Sequence, residues 1–164
     1  MKKKKILFIL VLLCTIVQGA WAEVINGLPA WDPTLENGNT YRVIRNWEYD
    51  WGRINVKGDV KLIVEEGYTV NFLEGIELSE GNTLTIEGEG TITINIRRDY
   101  KSGIGAKRMG TLIINGCTLN VKGGLYAAGI GGDMENTGGG RIVINGGVVN
   151  ATGNQGASAI GGGY

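Results

Sequence analysis

The chain has 164 residues, with 16 basic and 16 acidic side chains that balance to a formal charge of zero, no histidine, two cysteines and 29 glycines. The absence of histidine leaves Ser102 and Ser158 without a triad partner, and with so few cysteines no zinc-ligand set can be assembled. No basic excess is present to hold a phosphate backbone, so nucleic acid is not an expected partner.

Lysines occupy positions 2–5, residues 6–17 are almost wholly apolar, and Ala20, Trp21 and Ala22 precede Glu23. A basic start, a short apolar stretch and an A-x-A site together read as a secretory signal peptide over residues 1–22. A membrane anchor is the competing reading, but a span wants about 18 apolar residues, and Cys14, Thr15 and Gln18 interrupt this run. Cys14 follows Leu13, where a lipid-attachment site would carry a small residue. The expected mature chain starts near Glu23, is secreted or held at the cell surface, and does not span the membrane. Losing the four lysines leaves 12 basic against 16 acidic side chains, a net charge of −4. Cys117 then stands alone, and no internal disulfide is expected.

Residues 23–58 are rich in Asn, Asp and aromatic residues, among them Trp31, Tyr41, Trp47, Tyr49 and Trp51, with strands expected over 40–45 and 53–56. They do not follow the pattern of what comes after. A repeat array needs an atypical terminal unit over the end of its core, and this segment is read as that N-terminal, aromatic-rich cap.

From residue 59 onward the chain repeats. "TLIINGCTLNVKGG" (111–124) lies over "RIVINGGVVNATGN" (141–154) at an offset of 30; "TLTIEGEGTITIN" falls 28 residues earlier, and "KLIVEEGYTVNF" 22 before that. Each unit holds two short runs of alternating apolar residues, for example Leu84 and Ile86 followed by Ile92 and Ile94. Such alternation is the pattern of a half-buried strand. Between the runs lies a corner glycine (Gly67, Gly88, Gly116, Gly146), and after them one isoleucine among small residues (Ile76, Ile104, Ile130, Ile160).

Two strands and one point make a three-sided coil. Units at 59–80, 81–108, 109–138 and 139–164 predict an all-β parallel β-helix or β-solenoid of about four coils. Ile76, Ile104, Ile130 and Ile160 would form one inward ladder, and Ile86, Ile114 and Ile144 another. An Asn-Gly pair between alternating runs is also a strong hairpin signal. A hairpin fold remains the alternative, although it would not need the long Gly-rich return in every unit. The coil ending in "AIGGGY" carries no cover, and end-to-end self-association through it is a second expectation.

"INGGVVNATGNQGASAIGGG" and "AAGIGGDMENTGGGRIVINGG" resemble the glycine-rich repeats of exported bacterial surface proteins often labelled as containing carbohydrate-binding domains. The resemblance covers most of residues 53–164 and implies a right-handed β-solenoid at the cell envelope, with no catalytic motif to carry over. The sequence "RRDYKSGIGAKRMG" departs from it, being charged where those repeats are rich in Gly and Ala.

Two groups are candidates for carbohydrate contact. The charged loop Arg97, Arg98, Tyr100 and Lys101 could meet acidic sugars, and Trp47, Tyr49 and Trp51 could offer flat apolar faces to sugar rings. The plainer readings are a solvated insertion and a plug over the core. Asp133, Glu135 and Asn136 are too few oxygen donors for a hard cation, and neither metal nor cofactor is expected. The functional expectation is a non-enzymatic surface protein for adhesion or glycan binding. A structural spacer within a longer surface protein is the alternative, and a polysaccharide-processing enzyme the minor one.

Overall fold

Alternating apolar residues fix one face of a strand inward, and here the inward faces close around a single core. The computed structural model describes residues 23–97, 100–136 and 138–164, so the expected signal peptide and Arg98 lie outside the described residues. Every described regular element is a strand.

Residues 59–164 wind four coils of three strands each. The first holds β6 (Asp59–Val64), β7 (Thr69–Phe72) and β8 (Ile76–Glu77). The second holds β9 (Thr83–Gly88), β10 (Thr91–Asn95) and β11 (Ile104–Ala106). The third holds β12 (Thr111–Ile114), β13 (Thr118–Lys122) and β14 (Ile130–Gly132). The last holds β15 (Arg141–Ile144), β16 (Val148–Thr152) and β17 (Ile160–Gly161).

Equivalent strands stack in parallel to give three walls. β6, β9, β12 and β15 are neighbours in wall one, β7, β10, β13 and β16 in wall two, and β8, β11, β14 and β17 in wall three. The hairpin alternative is thereby excluded: β12 pairs with β9 and β15, and β13 with β10 and β16, never with each other.

Register puts like on like. In wall three Ile76, Ile104, Ile130 and Ile160 are successive partners, and in wall one Leu62, Ile86, Ile114 and Ile144 are. Each fully buried member contributes roughly 1.5–3 kcal/mol. Outside, the amide of Asn150 donates to Asn120 at 2.9 Å and that of Asn145 to Asn115 at 2.8 Å. Inward isoleucines of the last coil have no layer above them among the described residues, so Ile144 is 48% and Ile160 43% exposed. Cys117 is buried and free, and burial pushes its thiol up.

The offset of 22 residues expected between the first two coils holds only in wall two, where Thr69 faces Thr91. In wall one Asp59 faces Thr83, an offset of 24, and in wall three Ile76 faces Ile104, an offset of 28. Corners absorb the difference: four residues join β6 to β7, but two join β9 to β10. A shift of two preserves which side chains point inward, whereas a shift of one would reverse them.

Residues 23–58 cover the opposite end of the core by winding themselves. Val24–Asn26 (β1), Thr34–Leu35 (β2), Thr40–Val43 (β3), Trp47–Tyr49 (β4) and Ile54–Val56 (β5) all join the same three walls in parallel. β3, β4 and β5 lie beneath β6, β7 and β8. Their inward positions include Tyr41, Val43, Trp47, Tyr49 and Ile54, an alternation disguised by aromatic residues. Ile54 extends the isoleucine ladder one coil further, against Ile76. Among the described residues no helix is long and apolar enough to cross a membrane.

Candidate functional site

The segments joining wall two to wall three vary in length and form one corner of the solenoid. Tyr100 precedes Ile104 by four residues and Tyr126 precedes Ile130 by four, so ladder pairing brings the two tyrosines to equivalent places. Their rings lie 6.4 Å apart at an interplanar angle of 9°, an offset stack. In the next coil Gly156 occupies that place, and the ring of Tyr164 folds over it, 5.8 Å from Tyr126. All three rings keep exposed surface.

Backbone bonds tie this column together. Tyr164 N–H donates to the Tyr126 carbonyl at 2.9 Å, Met134 N–H to that of Tyr100 at 3.1 Å, and Glu135 N–H to that of Tyr164 at 2.8 Å. The column therefore depends on where Asp133, the preceding residue, is held.

Asp133 is held by three neighbours. Arg53 donates through Nη1 to Oδ2 at 3.3 Å and through Nη2 to Oδ1 at 3.2 Å. Ser102 adds its backbone N–H at 2.8 Å and its hydroxyl at 2.9 Å, and Lys101 Nζ stands 3.5 Å away. Arg53 also donates to the carbonyls of Ser102 and Gly105, at 3.0 and 2.9 Å. Its buried Nε has no hydrogen-bond partner among the described residues. Burial by itself pushes the Asp133 carboxyl up, but the Arg53 charge and the Ser102 and Arg53 hydrogen bonds outweigh it and hold the carboxyl below the usual aspartate value.

Basic residues flank the tyrosines. Ile96 N–H donates to the Lys122 carbonyl at 3.1 Å and Gly124 N–H to the Lys101 carbonyl at 2.9 Å, so Arg97 and Lys101 lie one coil from Lys122. Because Arg53 already matches Asp133, Lys101 adds positive charge to this strip. A cleft of about 370 Å³ opens beside Asp133, lined by Glu77, Ser79, Lys101, Lys107 and Arg108. Arg108 is paired there with Glu80 at 3.3 Å.

The expected aromatic trio is not one surface. Tyr49 is a core residue, its ring 6.1 Å from Phe72 and fully buried. It offers no face to a ligand, because β4 alternation points it inward. Trp47 shares that inward face, is partly buried against the core, and lies under the Arg45 guanidinium at 4.0 Å. Trp51 alone of the three is well exposed, at 60%, and its ring lies 5.5 Å from that of Trp31, which is 84% exposed.

Sequence reasoning missed Trp31, Tyr126, Tyr164 and Arg53. For Tyr126 the signal was available, since Tyr100 and Tyr126 share a spacing of four to a ladder isoleucine. Asp133, weighed as a cation ligand, instead receives Arg53. Among the described residues no group of three or more His, Cys, Asp or Glu side chains is placed to hold a metal ion. Fold and site together define a β-solenoid with an aromatic column along one corner. Comparison with known proteins finds no matching family model, no matching curated protein and no matching solved structure.

Proposed function

We propose that this chain is a non-catalytic, exported surface protein that binds glycans through the corner carrying Tyr100, Tyr126 and Tyr164. One observation carries the reading: three partly exposed tyrosines from three successive coils are lined up and fixed by backbone hydrogen bonds. Aromatic rings offer sugars large, stiff apolar surface at low entropic cost, with a hydroxyl at the edge for polar contact. Export rests on the signal-like residues 1–22, and the resemblance of the glycine-rich repeats to those of bacterial surface proteins supports both parts.

Arg97, Lys101 and Lys122 beside the column favour acidic polymers over neutral ones. A glycan array with the purified protein tests the proposal, with Tyr126→Ala as its control. Binding that falls several-fold in the variant while the melting temperature holds supports it. An array with no binder, or binding that Tyr126→Ala leaves unchanged, sinks it.

A further inference from the structure

Trp31 and Trp51 stand on the same corner as the tyrosine column, in the segments that lead into β2 and β5. Tryptophans so exposed contribute little to the core, and two of them in contact at 5.5 Å form a platform that folding alone does not require. Between that platform and Tyr100 lies a single coil, whose corner presents the partly exposed Leu73. At a spacing of about 4.8 Å per coil, Trp51 lies roughly 10 Å from the Tyr100 layer and roughly 14 Å from the Tyr126 layer along the axis.

We propose that the ligand is an extended polysaccharide lying along the solenoid axis over this corner, one sugar ring per coil, with Trp31 and Trp51 as a second binding platform. The inference rests on the glycan reading above and deepens it. Coil spacing is close to the advance of an extended pyranose chain per sugar, so a polymer can stay in register with the coils over its whole bound length. The tyrosine rings follow one per coil, their centroids 6.4 and 5.8 Å apart because successive rings are offset sideways as well as along the axis. A ligand crossing the corner at right angles would meet one coil only and leave the tryptophans idle.

The test is a length series, from dimer to octamer, of cello-, chito- and galacturono-oligosaccharides titrated into the protein, with tryptophan emission and calorimetry read together. Affinity is expected to rise steeply until the chain spans five or six coils, with emission responding only to the longer chains. Trp31→Phe and Trp51→Phe variants assign the emission, because Trp47 is partly buried beneath Arg45. Trp51→Ala should weaken hexamer binding several-fold and leave trimer binding unchanged. Short oligomers that bind as tightly as long ones, with emission unmoved, overturn the axial arrangement while leaving glycan binding intact. Failure of every oligomer to bind overturns both.

Discussion

Arg53 and Asp133, 80 positions apart in sequence, meet at 3.2 Å with both side chains almost wholly buried. Their contact joins the coil of β5 to the end of β14, three coils on, and fixes the residue from which the tyrosine column is tied. Breaking a buried ion pair from one side leaves an uncompensated charge. Arg53→Ala and Asp133→Asn are each expected to cost about 3–5 kcal/mol in chemical denaturation. Arg53→Met combined with Asp133→Leu should recover a good part of that loss. Single variants as stable as the parent would show that the pair contributes little.

The same pair sets an acid limit. Asp133 has its carboxyl held below the ordinary value of about 3.9, so the folded state binds that proton less readily than the unfolded one. Its stabilisation is complete above the unfolded value and is lost as pH falls through the lower folded one. Denaturation midpoints should therefore decline on acidification from about pH 4 downward, and less steeply in Asp133→Asn. An identical decline in both proteins would assign the acid sensitivity to other carboxylates.

Tyr49 is a core residue whose hydroxyl is buried with no hydrogen-bond partner among the described residues. Burial, and then the nearby Asp32 charge, push that hydroxyl's pKa up, as expected of a phenol cut off from water. An orphaned polar group costs about 1–3 kcal/mol. Tyr49→Phe should thus raise the melting temperature, by an amount equivalent to about 1 kcal/mol, and leave the proposed glycan binding unchanged. Lost affinity in this variant would restore Tyr49 to the binding surface.

Period-two alternation made the walls legible, and the spacing of Ile76, Ile104, Ile130 and Ile160 made the third wall legible with them. Both signals are local, repeated and carried by side-chain type. Corner length was harder to read, because a loop can grow by two residues without disturbing the ladder, as the offset of 24 between β6 and β9 illustrates. Aromatic residues hid the coil of β3, β4 and β5, since Tyr41, Trp47 and Tyr49 fill inward positions that later coils give mostly to Leu, Ile and Val. Arg53 with Asp133 was out of reach altogether: their meeting follows only from the stacking of coils.

Depth within the stack should decide what each ladder isoleucine is worth. Ile130 is fully buried between Ile104 and Ile160, whereas Ile160 is 43% exposed. Ile130→Ala is expected to cost about 2–5 kcal/mol, and Ile160→Ala less than about 2 kcal/mol, in paired denaturation curves. Equal losses would mean that the last coil is covered in solution, and would direct attention to what covers it.

Gly131 tests the third wall from the backbone side. Its φ of +137° lies where side chains are rarely accommodated, and a Cβ there would run into the carbonyl of Gly161, its own ladder partner. That carbonyl belongs to a paired strand and cannot move aside without breaking the ladder. Gly67, with φ +79° at the corner between β6 and β7, has nothing within 4 Å of the same added atom. Gly67→Ala carries only the left-handed strain, about 1–2 kcal/mol. Gly131→Ala carries a comparable strain together with the clash, so at least about 3 kcal/mol is expected. Because β14 leads directly into Asp133, the Gly131 variant should also loosen the tyrosine column and weaken glycan binding, while the Gly67 variant should not. Denaturation and binding measured on the two variants side by side separate the cases: equal penalties would mean that wall three tolerates side chains where its strands meet, and that the glycines around the isoleucine ladder are there for turning alone.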